Sequence, residues 1–331
     1  MLKVILFTLV TIAVPALCLL HLEQYNVDPN EVTVSGISAG GAMATQFHVI
    51  HSSEVKGAAM FAGIVYHCAN GLLATALTCM SAPGLTNVDS MISKTENQAS
   101  SGTIDATANL LGSPVYVFHS PIDSVVLPGS GTNIEEYYQH FGANILSEHS
   151  VNAAHSQPTD FYGPACDYLG GEYINNCNYH GAYMALNHLY DNTLIRPNGS
   201  EALNGIFDLF DQTDYFYISD PALSSMDDMG YVYIPSGCVD KTNVCKLHIA
   251  LHGCLMGRYL LDDVFARNTG YLQVAEVNNI IVLFPQAIKL LLTNPNGCFD
   301  WWGYTNYLYI TKSGNQILAL HRMMERILYG I

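Results

Sequence analysis

Thirteen residues from Val32 to Ala44, Val-Thr-Val-Ser-Gly-Ile-Ser-Ala-Gly-Gly-Ala-Met-Ala, restrict the fold more than any other stretch. Val32, Thr33 and Val34 read as the end of a buried strand, and Ala42 onward reads as a helix. Between them, Gly36-Ile37-Ser38-Ala39-Gly40 matches G-x-S-x-G. A strand that turns straight into a helix lifts the middle residue onto a sharp, strained bend, so its side chain projects above the sheet edge. Flanking glycines let neighbouring backbone pass close to that turn. The helix N-terminus beneath offers free N–H groups where a negatively charged oxygen would form. Ser38 is therefore the candidate nucleophile.

The remaining pattern alternates strands with helices. Apolar runs predict strands at residues 56–64, 114–119, 231–235, 246–252 and 280–284. Helices are expected from Ser38 to about Ser52, at 133–141, at 262–278, and from a Ser313 cap to about Tyr329. In the last of these, Ile317, Leu320, Met324 and Ile327 share one face. Residues 68–102 hold a cysteine-clipped excursion and a polar helix, and 147–164 is loop-rich. The alternation predicts an α/β fold with a mainly parallel, doubly wound sheet. No internal repeat or composition break divides residues 21–331, so a single domain is expected there.

A serine hydroxyl needs a base to take its proton, and the base needs a carboxylate to fix its tautomer. In α/β-hydrolases the order is serine, acid, histidine, with the acid just past a later strand. Asp123 follows the strand at 114–119 and is the candidate acid. The histidine belongs on a loop further on. His155, in Ala153-Ala-His-Ser-Gln-Pro158, has the best context, with His149 the alternative on the same approach. His140 falls on a helix, and His180 and His188 come later. The strand at 246–252 ends in His252-Gly253-Cys254, where such enzymes present a second oxyanion donor. The Cys254 N–H would join the Ala39 N–H, with the His252 side chain as scaffold. This strand normally precedes the nucleophile. Its position more than two hundred residues later predicts a circularly permuted chain, which surface termini tolerate.

Composition narrows the setting. Residues 1–20 read as a signal peptide: Lys3, an apolar run at 4–14, then small residues near Ala16 and Cys18. Beyond Cys18, eight cysteines remain, an even count that implies disulfides in a secreted, extracellular chain. Proximity suggests Cys68–Cys79, Cys166–Cys177 and Cys238–Cys245, which leaves Cys254 with Cys298. No pair has zinc-finger spacing. Asn198-Gly-Ser200 is a glycosylation sequon. A formal net charge of −16 disfavours nucleic-acid partners and anionic polymers and suits a neutral or apolar substrate.

Tyr25-Asn-Val-Asp-Pro29, Gly36-Ile-Ser-Ala-Gly-Gly41, His155-Ser-Gln-Pro-Thr159, Phe210-Asp-Gln-Thr-Asp214, Leu251-His-Gly-Cys254 and Gly297-Cys-Phe-Asp-Trp-Trp-Gly303 occur in one order along nearly the whole chain. Together they resemble the secreted microbial poly(3-hydroxybutyrate) depolymerases, in the single-domain, circularly permuted α/β-hydrolase branch. The resemblance implies a disulfide-stabilised serine esterase with Ser38 as nucleophile, Asp123 as acid, His155 as base, and the Ala39 and Cys254 backbones as oxyanion donors. No cofactor is expected, and the cysteine spacing gives no expectation of a metal. The resemblance also places a tryptophan at the substrate crevice, a role open to Trp301 or Trp302. Many bacterial relatives add a linker and a polymer-binding domain; none is expected here, so adsorption to a polyester would rest on exposed apolar side chains. A monomer is expected. A general carboxylesterase, a feruloyl-type esterase and a non-catalytic secreted binding protein of the same fold remain the rivals.

Overall fold

The computed structural model describes residues 21–216 and 219–331. The signal segment expected at 1–20, with Cys18, lies outside the described residues. Among these, Val27–Ile37 forms the strand (β1) that sets the architecture. Its side chains alternate: Val32 and Val34 enter one core, while Ile37 enters the core on the opposite face. Thr33 and Ser35 share the Ile37 face, and their buried hydroxyls need partners. The neighbouring strand supplies one: Thr33 Oγ1 lies 2.7 Å from His248 Nδ1, and Ser35 Oγ lies 2.7 Å from His248 Nε2.

The further strands are Gly57–Phe61 (β2), Pro114–Phe118 (β3), Asn144–Glu148 (β4), Gln157–Thr159 (β5), Ile174–Asn176 (β6), Ile206–Asp211 (β7), Met229–Ile234 (β8), Cys245–Leu251 (β9) and Ile280–Phe284 (β10). The helices are Ala39–Ile50 (α1), Leu73–Ser81 (α2), Val88–Ser100 (α3), Gly129–His140 (α4), Gly181–Leu189 (α5), Arg258–Leu261 (α6), Val264–Asn268 (α7), Tyr271–Asn278 (α8) and Asn315–Tyr329 (α9).

Eight strands form one sheet in the order β4-β3-β2-β1-β9-β10-β8-β7. The first six run parallel, and β8 and β7 close the edge antiparallel. β5 and β6 pair separately. Met43 and Phe47 of α1 and Leu320 and Met324 of α9 pack on one face. Leu186 of α5 and Tyr271 and Val274 of α8 pack on the other. Helices on both faces of a largely parallel sheet make the doubly wound α/β-hydrolase layout. β2 and β9 lie to either side of β1, and a crevice opens at its carboxyl end. No helix of the described residues is long and apolar enough to cross a membrane.

Among the described residues four disulfides close, Cys68–Cys79, Cys166–Cys177, Cys238–Cys245 and Cys254–Cys298. The structure departs from the sequence reading in four places. The helix expected at 262–278 is broken, because Gly270 takes the left-handed conformation (φ 90°) between α7 and α8. The last helix starts after Gly314 with no side-chain cap, so Ser313 does not cap it. The helix expected at 133–141 begins earlier, at Gly129. The edge strands β4 and β7 and the separate pair β5 and β6 were not foreseen.

Candidate active site

The turn from β1 into α1 holds Ser38 at φ 56°, ψ −120°. Such a conformation costs a non-glycine residue roughly 1–3 kcal/mol. Two backbone bonds fix it. The Ser38 N–H donates to Phe61 O of β2 (2.8 Å), and the Ser38 carbonyl accepts the Ala42 N–H (2.9 Å). Gly40 makes the tight approach possible: a Cβ there would lie 2.3 Å from Leu251 O and 2.5 Å from His252 O. The first turn of α1 thus rests directly on the end of β9. Ser38 is partly exposed, and its hydroxyl makes no hydrogen bond among the described residues.

Asp123 lies in the turn after β3, and His155 lies in the loop after β4. His155 Nδ1 is 2.8 Å from Asp123 Oδ2, and both side chains are buried. Asp123 Oδ1 accepts the N–H groups of Val125 (2.8 Å) and Val126 (3.0 Å). Burial pushes the Asp123 carboxyl up. The hydrogen bond and charge of His155, with the two backbone donors, outweigh it and hold the group below the usual carboxylate range. Ser120 ties the two loops together, because its Oγ accepts the Ala153 N–H at 3.0 Å. The Cys166–Cys177 bridge braces the same loop through the Ala154 N–H bond to Cys166 O (2.8 Å). With Nδ1 engaged by the carboxylate, Nε2 makes no hydrogen bond among the described residues.

Ala39 opens α1, so its N–H is one of the donors that a helix leaves without an internal partner. Beside it runs the turn after β9. His252 Nδ1 is 2.7 Å from Gly253 O, and its Nε2 accepts the Ala287 N–H at 3.0 Å. Burial pushes His252 down to about 4, so its neutral ring donates on one side and accepts on the other. Both nitrogens are spent on scaffolding. A side chain at Gly253 would meet Ser38 Cβ at 3.4 Å, which measures how closely this turn approaches the serine. Cys254 is bridged to Cys298, and the Leu255 N–H donates to Asn296 O at 2.8 Å.

A cavity of about 260 Å³ brings Ser38, Ala39, Cys254, Trp301 and Trp302 together. The tryptophans are buried and meet edge to face, 5.6 Å between ring centres. Leu73, Leu77 and Met80 of α2 form further apolar wall. His155 does not line this cavity. Val126 links the two halves, since it lines the cavity and donates its N–H to Asp123. Asn198 is exposed beside a larger cavity of about 610 Å³ that holds Asp160, His180 and Arg196 but none of the predicted site residues except Asn198 itself.

Sequence reasoning missed Ser120 and the α2 wall. A signal for the latter existed: Leu72, Leu73 and Leu77 lie inside the Cys68–Cys79 clip, where so short a loop has little core of its own to bury them in, and each is more than half exposed.

No protein-family model matches the chain. It is 37% identical over 315 residues to a poly(3-hydroxybutyrate) depolymerase of Delftia acidovorans, covering 94% of this chain and 62% of that protein. It is 34% identical over 326 residues to a polyhydroxybutyrate depolymerase of Talaromyces funiculosus, covering 93% of each. Among solved structures, it matches a PHB depolymerase complexed with an R3HB trimer with TM-score 0.86 and 32% identity. It matches the crystal structure of PHB depolymerase from Penicillium funiculosum with TM-score 0.85 and 33% identity. Each match covers 94% of this chain and 100% of the other.

Proposed function

The chain belongs to the poly(3-hydroxybutyrate) depolymerase family, and on that premise we propose that Ser38, His155 and Asp123 hydrolyse short-chain hydroxyalkanoate polyesters or their oligomers. The observation that carries the reading is the strained Ser38 elbow facing an apolar cavity, with a buried His155–Asp123 pair two loops away. Ser38 Oγ attacks the ester carbonyl while His155 Nε2 takes its proton. The N–H groups of Ala39 and Cys254 hold the oxyanion, each worth about 3 kcal/mol of transition-state binding. His155 returns the proton to the departing hydroxyl group. Water, activated by the same histidine, then releases the acid and restores Ser38. Asp123 keeps the imidazole in the correct tautomer throughout.

The apolar wall of Leu73, Leu77, Met80, Trp301 and Trp302 suits an uncharged ester chain. Leu291 and Leu292, 82% and 92% exposed, precede the cavity-lining Thr293, and with Leu73 and Leu77 they offer an adsorbing rim. Secretion through residues 1–20, glycosylation at Asn198, a monomeric state and a single domain complete the proposal. Asn198 supports its part: it is exposed, and the Ser200 hydroxyl donates to its Oδ1 at 2.6 Å. Circular permutation accounts for β9 standing next to β1 while following it by two hundred residues.

The test compares wild type and Ser38→Ala on a soluble 3-hydroxybutyrate trimer and on amorphous poly(3-hydroxybutyrate) granules. Activity on both that vanishes in the variant supports the reading. Faster Ser38-dependent turnover of aryl or feruloyl esters would favour a general esterase, and absence of organophosphonate labelling at Ser38 would favour a binding protein.

A further inference from the structure

Behind the tryptophan wall of the Ser38 cavity lies a carboxylate that the triad does not use. Asp300 immediately precedes Trp301 and Trp302, is 1% exposed, and has no cationic side chain paired with it among the described residues. We infer that Asp300 is a positioning residue for substrate binding: it fixes both tryptophans relative to Ser38 and so sets the fit of the ester chain. The inference rests on reading that cavity as the substrate crevice.

Every polar group of Asp300 is engaged. Its Oδ1 accepts the N–H groups of Gly303 (2.7 Å) and Tyr304 (3.0 Å). Its Oδ2 accepts the Thr305 N–H (3.0 Å) and the Thr305 hydroxyl. The carboxylate thus closes the turn that holds Trp301 and Trp302. The backbone is held from both sides. The Asp300 N–H donates to Gln316 Oε1 of α9 (2.8 Å), and its carbonyl accepts Gln46 Nε2 of α1 (3.0 Å). Gln46 is buried on the helix that Ser38 opens, so the turn is referenced directly to the nucleophile.

The turn is also referenced to the opposite wall. Gly303 takes φ 82°, and a Cβ there would meet the Tyr309 ring at 3.0 Å. The Tyr309 hydroxyl accepts the Gly71 N–H at 3.0 Å, inside the Cys68–Cys79 clip that carries Leu73 and Leu77. Burial pushes the Asp300 carboxyl up, and its donors only partly offset this. A charge kept in the core against that penalty, with every lone-pair direction used, specifies one geometry where an apolar side chain would leave the turn free.

The experiment compares wild type, Asp300→Asn and Gln46→Met as full chains. Asp300→Asn turns an amide N–H toward the Thr305 N–H, donor against donor. Trp301 and Trp302 are the only tryptophans in the chain, and at 5.6 Å with 81° between planes their transitions couple. The resulting circular-dichroism couplet should be lost in Asp300→Asn, and acrylamide should quench its tryptophan fluorescence more strongly. KM for the 3-hydroxybutyrate trimer should rise about tenfold while kcat falls less than about threefold, the sign of lost uniform binding. Gln46→Met, which leaves the carboxylate intact, should raise KM about threefold. Thr305→Val should raise KM as well, and Thr305→Ser should restore it. An unchanged couplet with KM within about twofold of wild type in Asp300→Asn overturns the inference. So does a KM effect confined to variants whose Tm collapses, with Gln46→Met and Thr305→Val like wild type. If the wild type does not turn over the trimer, the proposed function fails, and the couplet alone then decides the role of Asp300.

Discussion

His155 Nδ1 lies 2.8 Å from Asp123 Oδ2, and the other carboxylate oxygen is fixed by the N–H groups of Val125 and Val126. The carboxylate can therefore turn neither away from the ring nor toward solvent. Asp123→Asn keeps the shape, but its amide nitrogen can face Nδ1 and stabilise the wrong tautomer. We expect kcat on the trimer to fall about 10⁴-fold with little change in KM. A fall of less than tenfold would remove Asp123 from the proposed triad.

Ser38 stores strain at φ 56°, a conformation glycine adopts freely. Ser38→Gly should abolish hydrolysis and raise unfolding stability by roughly 1 kcal/mol. Denaturant unfolding of the two proteins checks this. A destabilised variant would mean that the serine side chain holds the elbow instead of straining it.

Sequence and structure agree where a local steric rule operates. The strand–turn–helix around Ser38 was legible because glycines bracket it, and Asp123 because it follows an apolar central strand. The loop of His155 was less so. Its preceding strand, β4, is an edge strand with Asn144, Leu146 and Ser147 exposed, so no buried alternation announces it. β7 has the same difficulty, with Ile206 43% exposed. The break at Gly270 depends on one backbone angle inside an otherwise helical pattern. The cavity wall from α2 joins residues distant in the chain, and only the closed fold places Leu73 and Leu77 beside Trp301 and Trp302.

Cys254 and Cys298 span a sequence separation of 44, and the loop they close carries the proposed second oxyanion donor. Loop-closure entropy for that length corresponds to about 4 kcal/mol. The double variant Cys254→Ala/Cys298→Ala should lose stability of that order. It should also lose kcat more than KM, since a looser turn misplaces a donor used in the transition state. Unchanged kcat in a folded variant would separate the Cys254 backbone from the oxyanion.

Burial pushes His48 and His248 down to about 3 and His252 to about 4. Their folded affinities lie below the unfolded value of about 6.5, so the unfolded chain binds protons first as pH falls. The stability tied to these neutral rings is complete above pH 6.5 and is lost progressively as pH falls, down to about pH 4 for His252 and about pH 3 for His48 and His248. Each ring contributes a slope of about 1.4 kcal/mol per pH unit in that window. His48 bonds the Tyr138 hydroxyl and Ser113 Oγ, both at 2.9 Å, and has no charged partner to offset protonation. In His48→Asn the slope between pH 6 and 4.5 should be shallower by about that amount, whatever the variant's stability at pH 7. Urea unfolding at several pH values measures it. An unchanged slope would show that His48 takes up its proton in the folded chain as readily as in the unfolded one.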